Sequence, residues 1–262
     1  MQREQSWTIF LQNQYRSRVT DELQIYVLKS LRDLFFLALE FFIENFMVQL
    51  VSSMAHIHIP LRDLGFEFLV EIDAAKIAYL GYSVSVETLA LIWVFYCFLH
   101  GRQGLIVVQK GARCLTIARS LRICLFSLTV LPSPKRWCRF QGPIKFFEPL
   151  VGGACNDLLY SGHVTVYTLT AMAFTILSRN YSSKKLRYLL RIFIWFYVFQ
   201  RIICTILERH HYSIDMFLGL IMTLFIWQCP VFYTDLPEVP ENLFLHLKQL
   251  FLPKFRSILK EV

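Results

Sequence analysis

The stretch that decides the fold is Tyr188–Glu208, YLLRIFIWFYVFQRIICTILE. It is apolar and aromatic almost throughout and holds no Gly or Pro. Its length suits one crossing of a hydrocarbon core, for which a helix needs about 20 mostly apolar residues. Lipid offers no hydrogen bonds, and a helix satisfies its own backbone. Outward from this stretch, segments of the same character recur at 34–54, 82–100, 112–131, 163–178 and 213–231. The prediction is an all-α polytopic membrane protein, a six-transmembrane-helix bundle over 34–231. A polar segment (1–33) precedes it, a tail (232–262) follows it, and no repeat of 20–50 residues subdivides it.

Composition points the same way. Of the 262 residues 55% are hydrophobic and only 18% charged, against roughly 25% charged in ordinary soluble domains. Mean hydropathy is +0.45. This excludes disorder as the main state, and 10 Gly and 9 Pro exclude a collagen-like chain. The net charge of +8 is spread in short runs between apolar blocks rather than over one polar domain, so it argues for membrane headgroups and against nucleic acid. The seven Cys form no C-x-x-C pair, which leaves no structural zinc pattern. The first 30 residues lack the apolar core of a cleavable signal peptide, so the first membrane helix is expected to direct insertion.

Lys and Arg set the expected orientation. The N-terminal segment, the stretches after the second and fourth helices, and the tail carry sixteen of them, and the other connections carry seven. Both termini are therefore expected on the cytosolic side. The loops at 55–81, 132–162 and 209–212 are then lumenal or extracellular.

Two polar clusters interrupt this apolar chain, and both fall on that lumenal side. One is Cys155-Asn156-Asp157-Leu158-Leu159-Tyr160-Ser161-Gly162-His163; the other is Glu208-Arg209-His210-His211-Tyr212-Ser213-Ile214-Asp215. His211 and Asp215 are spaced i, i+4, one turn apart on a helix face. The carboxylate can hold one imidazole nitrogen and leave the other as a nucleophile. A Ser161-Gly162-His163 turn at a helix start presents unpaired N–H groups to an anion. His163 can then serve as general acid and later as general base. Together these parts describe phosphoryl transfer through a phosphohistidine, with no cofactor and no metal. The rival reading, a metal held by His163, His210, His211 and Asp215, is weaker because adjacent histidines rarely bind one ion together.

These residues resemble the paired motifs of the sphingomyelin synthase family, within the lipid phosphate phosphatase (type-2 phosphatidic acid phosphatase) superfamily. Cys155, Asp157, Ser161, Gly162 and His163 match the first motif, C-G-D-x-x-x-S-G-H-T, with Asn156 in place of Gly and Val164 inserted before Thr165. Residues 211–215 match H-Y-S/T-x-D in full. Pro60–Phe66 resembles the family's P-L-x-D-L-x-F stretch, and Thr129–Pro134 its T-x-L-P-x-P stretch, so the likeness runs from about 34 to 231. The phosphatases' K-x-x-x-x-x-x-R-P run is absent, and Thr205 stands where they carry Arg six residues before the nucleophile. The departure favours a transferase over a phosphatase.

The resemblance implies a sphingolipid synthase of the Golgi or plasma membrane. It would move a phosphocholine, phosphoethanolamine or phosphoinositol headgroup from a glycerophospholipid to the primary hydroxyl of ceramide and release diacylglycerol. His163, His211 and Asp215 are the expected catalytic residues. Ser161, Gly162, Tyr212, Asp157, Arg136 and Arg139 are the expected substrate contacts, the two arginines as part of a basic run with Lys135 and Lys145 that could draw anionic lipid. Other readings stay open: a lipid phosphatase with water as acceptor, a lipid-binding or scramblase-like protein, a homo-oligomer, and a disulfide between Cys138 and Cys155. Arg209-His210 before the nucleophile argues mildly for a neutral headgroup such as phosphoinositol. Asp63 matches a family position whose role the sequence does not explain.

Charges inside the expected helices raise one structural expectation. Glu40 and Glu44 share a face of the first helix, and Arg119 and Arg122 share a face of the third. Counted from helix starts near 34 and 113, Glu40 and Arg119 lie about 9 Å deep and Glu44 and Arg122 about 13–15 Å deep. Unpaired charges there cost roughly 2.5–3.5 kcal/mol. The two helices should therefore be neighbours joined by a Glu–Arg ion pair, in the cytosolic half and with a purely structural role.

Overall fold

The computed structural model describes residues 2–54, 59–71, 86–134, 158–236 and 238–239, with side chains described from residue 24 and, in the third helix, from residue 88. Most described residues are helical, the rest are turns and irregular connections, and no strand occurs among them. The helices are α1 (Gln2–Met54), α2 (Leu64–Phe68), α3 (Val86–Leu99), α4 (Gly101–Leu128), α5 (Gly162–Leu177), α6 (Lys184–Leu207) and α7 (Ser213–Gln228). Short 3-10 turns follow α5 (Ser178–Asn180) and α7 (Pro230–Tyr233).

Each of the six predicted segments falls on a helix, but two helices begin earlier than predicted. Residues 2–54 contain neither Gly nor Pro, so nothing in the backbone ends the helix where the apolar run does. α1 therefore runs unbroken from residue 2 through the apolar run at 34–54. The other early start is α4. Residues 101–111, expected as the connection after the second helix, are its first three turns, so Arg102, Lys110 and Arg113 are helical residues. Lys110 lies with its ammonium 4.9 Å from the Trp227 ring centre and 4.7 Å from that of Tyr233.

A single residue, His100, separates α3 from α4. Gly101 takes a φ of 62°, a left-handed conformation open to glycine without strain. A Cβ on Gly104 would lie 1.7 Å from the Cys97 carbonyl oxygen. The absence of a side chain there is what lets α4 fold back on the end of α3.

α5 is the centre of the bundle and packs on α3, α4, α6 and α7, while α1 packs along α4. Small residues line the closest approaches: Ala171 and Ala173 of α5 and Ala118 of α4 are fully buried. The outer surface is apolar instead. Phe193, Phe196 and Phe199 of α6, Leu34 and Phe35 of α1 and Phe217 and Phe225 of α7 are exposed. Glu44, Gln49, Arg122, Thr165, Thr168, Asp215 and Thr223 are buried. A soluble monomer seldom shows so large an apolar patch; in lipid such a surface is the stable one. Gln24–Ser53 and Lys184–Leu207 are each long and apolar enough to cross a membrane, and Thr88–Leu99 and Ser213–Gln228 are shorter apolar helices.

The bend between α3 and α4 is directly testable. Gly104→Val should destabilise the protein by about 1–3 kcal/mol through overpacking against backbone, read as a lower Tm in detergent. An unchanged Tm would mean that the two helices do not meet there.

Candidate active site

The site lies where the start of α5, the turn between α6 and α7, and the strand-like stretches at 59–63 and 129–134 come together. Its geometry starts at the end of α6. The Arg209 N–H donates to the Ile206 carbonyl (3.1 Å) and the His210 N–H to that of Thr205 (3.1 Å). This pair of bonds is a Schellman motif, which needs a left-handed residue between helix and exit. Arg209 fills that place with a φ of 55°, where glycine is usual. The cost of a non-glycine residue there is offset by its side chain. The guanidinium donates to the carbonyls of Phe66 (3.1 Å) and Leu69 (2.8 Å) and stacks 4.1 Å from the Phe66 ring centre. The turn thereby delivers His211 to the head of α7.

Asp215 is the hub. Its side chain has no exposed surface, and three donors converge on it. His211 Nδ1 lies 3.3 Å from Oδ2, the Tyr212 N–H donates to Oδ2 (2.9 Å), and the Leu159 N–H donates to Oδ1 (2.9 Å). The Asp215 carbonyl also accepts from the Ser161 N–H (3.2 Å). One residue on α7 thus orients the imidazole of its own turn and also ties down the chain that leads into α5. Leu159 is held by it at a φ of 78°, a strained angle for a γ-branched residue and one that local context must impose.

His163 follows directly. Ser161 caps α5 by accepting from the Val164 N–H (3.5 Å), and Gly162 opens the helix. Gly219 of α7 lets the turn approach: a Cβ there would lie 2.9 Å from the Ser161 carbonyl oxygen. His163 is exposed, and its ring centre lies 6.0 Å from that of His211 with the planes at 65°. Residues 48 positions apart meet as two imidazoles facing one space.

The sequence-predicted residues divide into two groups. His163, His211, Asp215, Ser161, Gly162 and Tyr212 are brought together. Asp157, Arg136 and Arg139, with Cys138 and Cys155, lie outside the described residues. Tyr212, the expected substrate contact, is also a tie between chain segments. It is 2% exposed, and its hydroxyl accepts from the Leu61 N–H (3.0 Å) and donates to the Pro132 carbonyl (2.8 Å). Burial pushes its phenol above the usual tyrosine range, which keeps that proton in place.

Asp63, whose role the sequence left unexplained, is a second tie. It caps α2 and accepts from the Ser213 N–H (2.8 Å) and hydroxyl (2.7 Å). The 60–66 and 129–134 stretches are thus clamps on the His211–Asp215 turn. His210 sits 3.2 Å from Glu208 through Nε2. No group of three or more His, Cys, Asp or Glu side chains among the described residues could hold a metal ion.

Comparison with known proteins agrees with this geometry. Residues 154–232 match the family described as PAP2 superfamily C-terminal. Phosphatidylinositol:ceramide inositolphosphotransferase 2 of Arabidopsis thaliana is 27% identical over 214 residues, 73% of this chain and 66% of that protein. Phosphatidylinositol:ceramide inositolphosphotransferase 3 of the same plant is 26% identical over 212 residues, 71% and 69% of the two chains. The chain is thus similar to PAP2-type proteins over 154–232 and to two ceramide inositolphosphotransferases over most of its length. Its likeness to Protein PHLOEM UNLOADING MODULATOR of Arabidopsis thaliana is 31% over 120 residues, 42% of this chain and 27% of that protein. The chain therefore spans about a quarter of that relative and about two thirds of the inositolphosphotransferases. The matched segment begins at 154 and takes in both histidine turns. Asp63 and Pro132 lie upstream of it.

Asp63→Ala should lower stability by roughly 1–3 kcal/mol, since it removes charge-assisted bonds that order two loops. A fall in Tm with faster amide exchange at Ser213 is the expected record.

Proposed function

We propose that this protein is a membrane sphingolipid synthase that transfers a phospho-headgroup from a glycerophospholipid to ceramide. The observation that carries the reading is the pair of imidazoles, 6.0 Å apart, of which one is backed by a buried carboxylate. Asp215 on Nδ1 directs the Nε2 lone pair of His211 outward. His211 Nε2 attacks the phosphorus as the bond from phosphorus to the diacylglycerol oxygen breaks. Protonated His163 gives that oxygen its proton. Ceramide replaces diacylglycerol, and neutral His163 takes the proton of its primary hydroxyl. The oxygen attacks phosphorus, the phosphorus–nitrogen bond breaks, and both histidines return to their starting states. Positioning and charge stabilisation supply the acceleration, and no cofactor or metal takes part.

The substrates support a membrane setting. In this reading α1, α3, α4, α5, α6 and α7 form six spans of a catalytic domain over 34–231. Both termini are cytosolic, and the histidines open to the lumenal leaflet of a Golgi or plasma membrane, where both lipids enter sideways. Phosphoinositol is the proposed headgroup. The names of the two inositolphosphotransferases support it, as does a turn in which Arg209 and His210 offer no surplus of negative charge to a cationic headgroup. Arg136, Arg139 and Asp157 are proposed to lie along the donor's path.

His163→Ala, His211→Ala and Asp215→Ala should each cut transfer by at least about 10³-fold while the protein still inserts, because nucleophile and base act as a unit. Membranes given labelled phosphatidylinositol and ceramide should yield labelled inositol phosphorylceramide. Release of water-soluble inositol phosphate without that lipid would identify a phosphatase instead, and full activity of His211→Ala would sink the mechanism.

A further inference from the structure

Arg122 of α4 was expected to serve only the helix packing, far from the site. The early start of α4 changes its address. Arg122 lies six residues from the end of α4 at Leu128, about 9 Å by helical rise, on the side where the histidines are. It is 7% exposed. Its Nε donates to the Tyr160 carbonyl (2.8 Å), and an added Cβ on Gly162 would lie 3.6 Å from its guanidinium carbon. Its Nη1 is paired with Glu44 of α1. Glu44 also faces Arg119, whose Nε lies 3.1 Å from its other oxygen.

We propose, resting on the catalytic reading above, that Arg122 is a positioning residue which fixes the Tyr160–Gly162 turn and so aims His163 at the phosphorus. Tyr160 is fully buried, and its hydroxyl is held between Thr165 and Thr223 at 3.4 Å each. The ring is therefore anchored from below while its carbonyl is anchored by Arg122. Gly162 packs beside the guanidinium, where even a Cβ would stand only 3.6 Å from its central carbon, and the next residue is His163. A planar fork can serve a carboxylate and a carbonyl at once, whereas an ammonium on a flexible stem holds no such plane. Glu44 keeps that fork in register and supplies the counter-charge a buried cation needs. α1 is thus linked to the catalytic turn through one side chain.

The test uses the full-length protein in lipid nanodiscs. Arg122→Met leaves Glu44 with Arg119 as partner and removes the donor to Tyr160; Arg122→Lys keeps the charge and loses the fork. Inositol-phosphate transfer to ceramide should fall about ten- to hundredfold in kcat for both, with KM within about twofold, because a displacement of about 1 Å at a reacting group costs that much. The rate of His163 modification by diethyl pyrocarbonate, followed by mass spectrometry, should change in both variants. Should Arg122→Met fail to fold, Arg122→Lys carries the test. Unchanged kcat and unchanged His163 labelling in folded protein overturn the proposal. His211→Ala run in parallel separates the two readings. If it stays active, the catalytic assignment fails; if it is dead while both Arg122 variants match wild type, only the positioning role fails.

Discussion

Everything at the site depends on one buried carboxylate. Asp215 has no contact with solvent and accepts from three donors in two chain segments. A carboxylate removed from water costs several kcal/mol unless donors surround it; those donors are the price of burial and also fix the geometry of the candidate site. One oxygen fixes the turn that carries His211. The other fixes the strained residue Leu159, four positions before His163. A single group thereby sets two imidazoles, one in the turn before α7 and one in the first turn of α5.

Around that centre the bundle places its polar groups inward and its apolar groups outward. Glu44, Arg122 and Thr223 are buried while the phenylalanines of α6 face out. In water this would be an unstable inversion. In a bilayer the outer surface costs nothing, and internal polar groups hold the helices together. The Glu44–Arg122 pair belongs to this scheme, yet it also reaches the Tyr160 carbonyl. Packing and site are consequently not separable in α4.

Much of this was legible in the sequence. The helix positions follow from apolar run length, because the run is what lipid demands. His163, His211 and Asp215 follow from spacing and from helix order, which together put both turns at one end. The early starts of α1 and α4 were hidden for a physical reason: hydropathy reports what surrounds a helix, not where its hydrogen bonds begin. The position of Arg122 along α4 shifted with the earlier start, since the count began at residue 113 rather than 101. Asp63 and Tyr212 were recognisable as motif letters but not as ties. Their partners, Ser213 for Asp63 and Leu61 and Pro132 for Tyr212, lie some 80 to 150 positions away in the chain. No local pattern encodes a contact of that range.

The order of these ties bears on how the protein is made. A chain emerges from the ribosome N-terminus first, and its segments settle as they arrive. Asp63 emerges 150 residues before its partner Ser213, and Leu159 emerges 56 before Asp215. Until α7 has been synthesised and inserted, the upstream loops and the left-handed turn at Leu159 have nothing to close on. Translation must therefore reach α7 before either histidine turn can set, and a nascent chain stalled short of it leaves the two imidazoles unaligned.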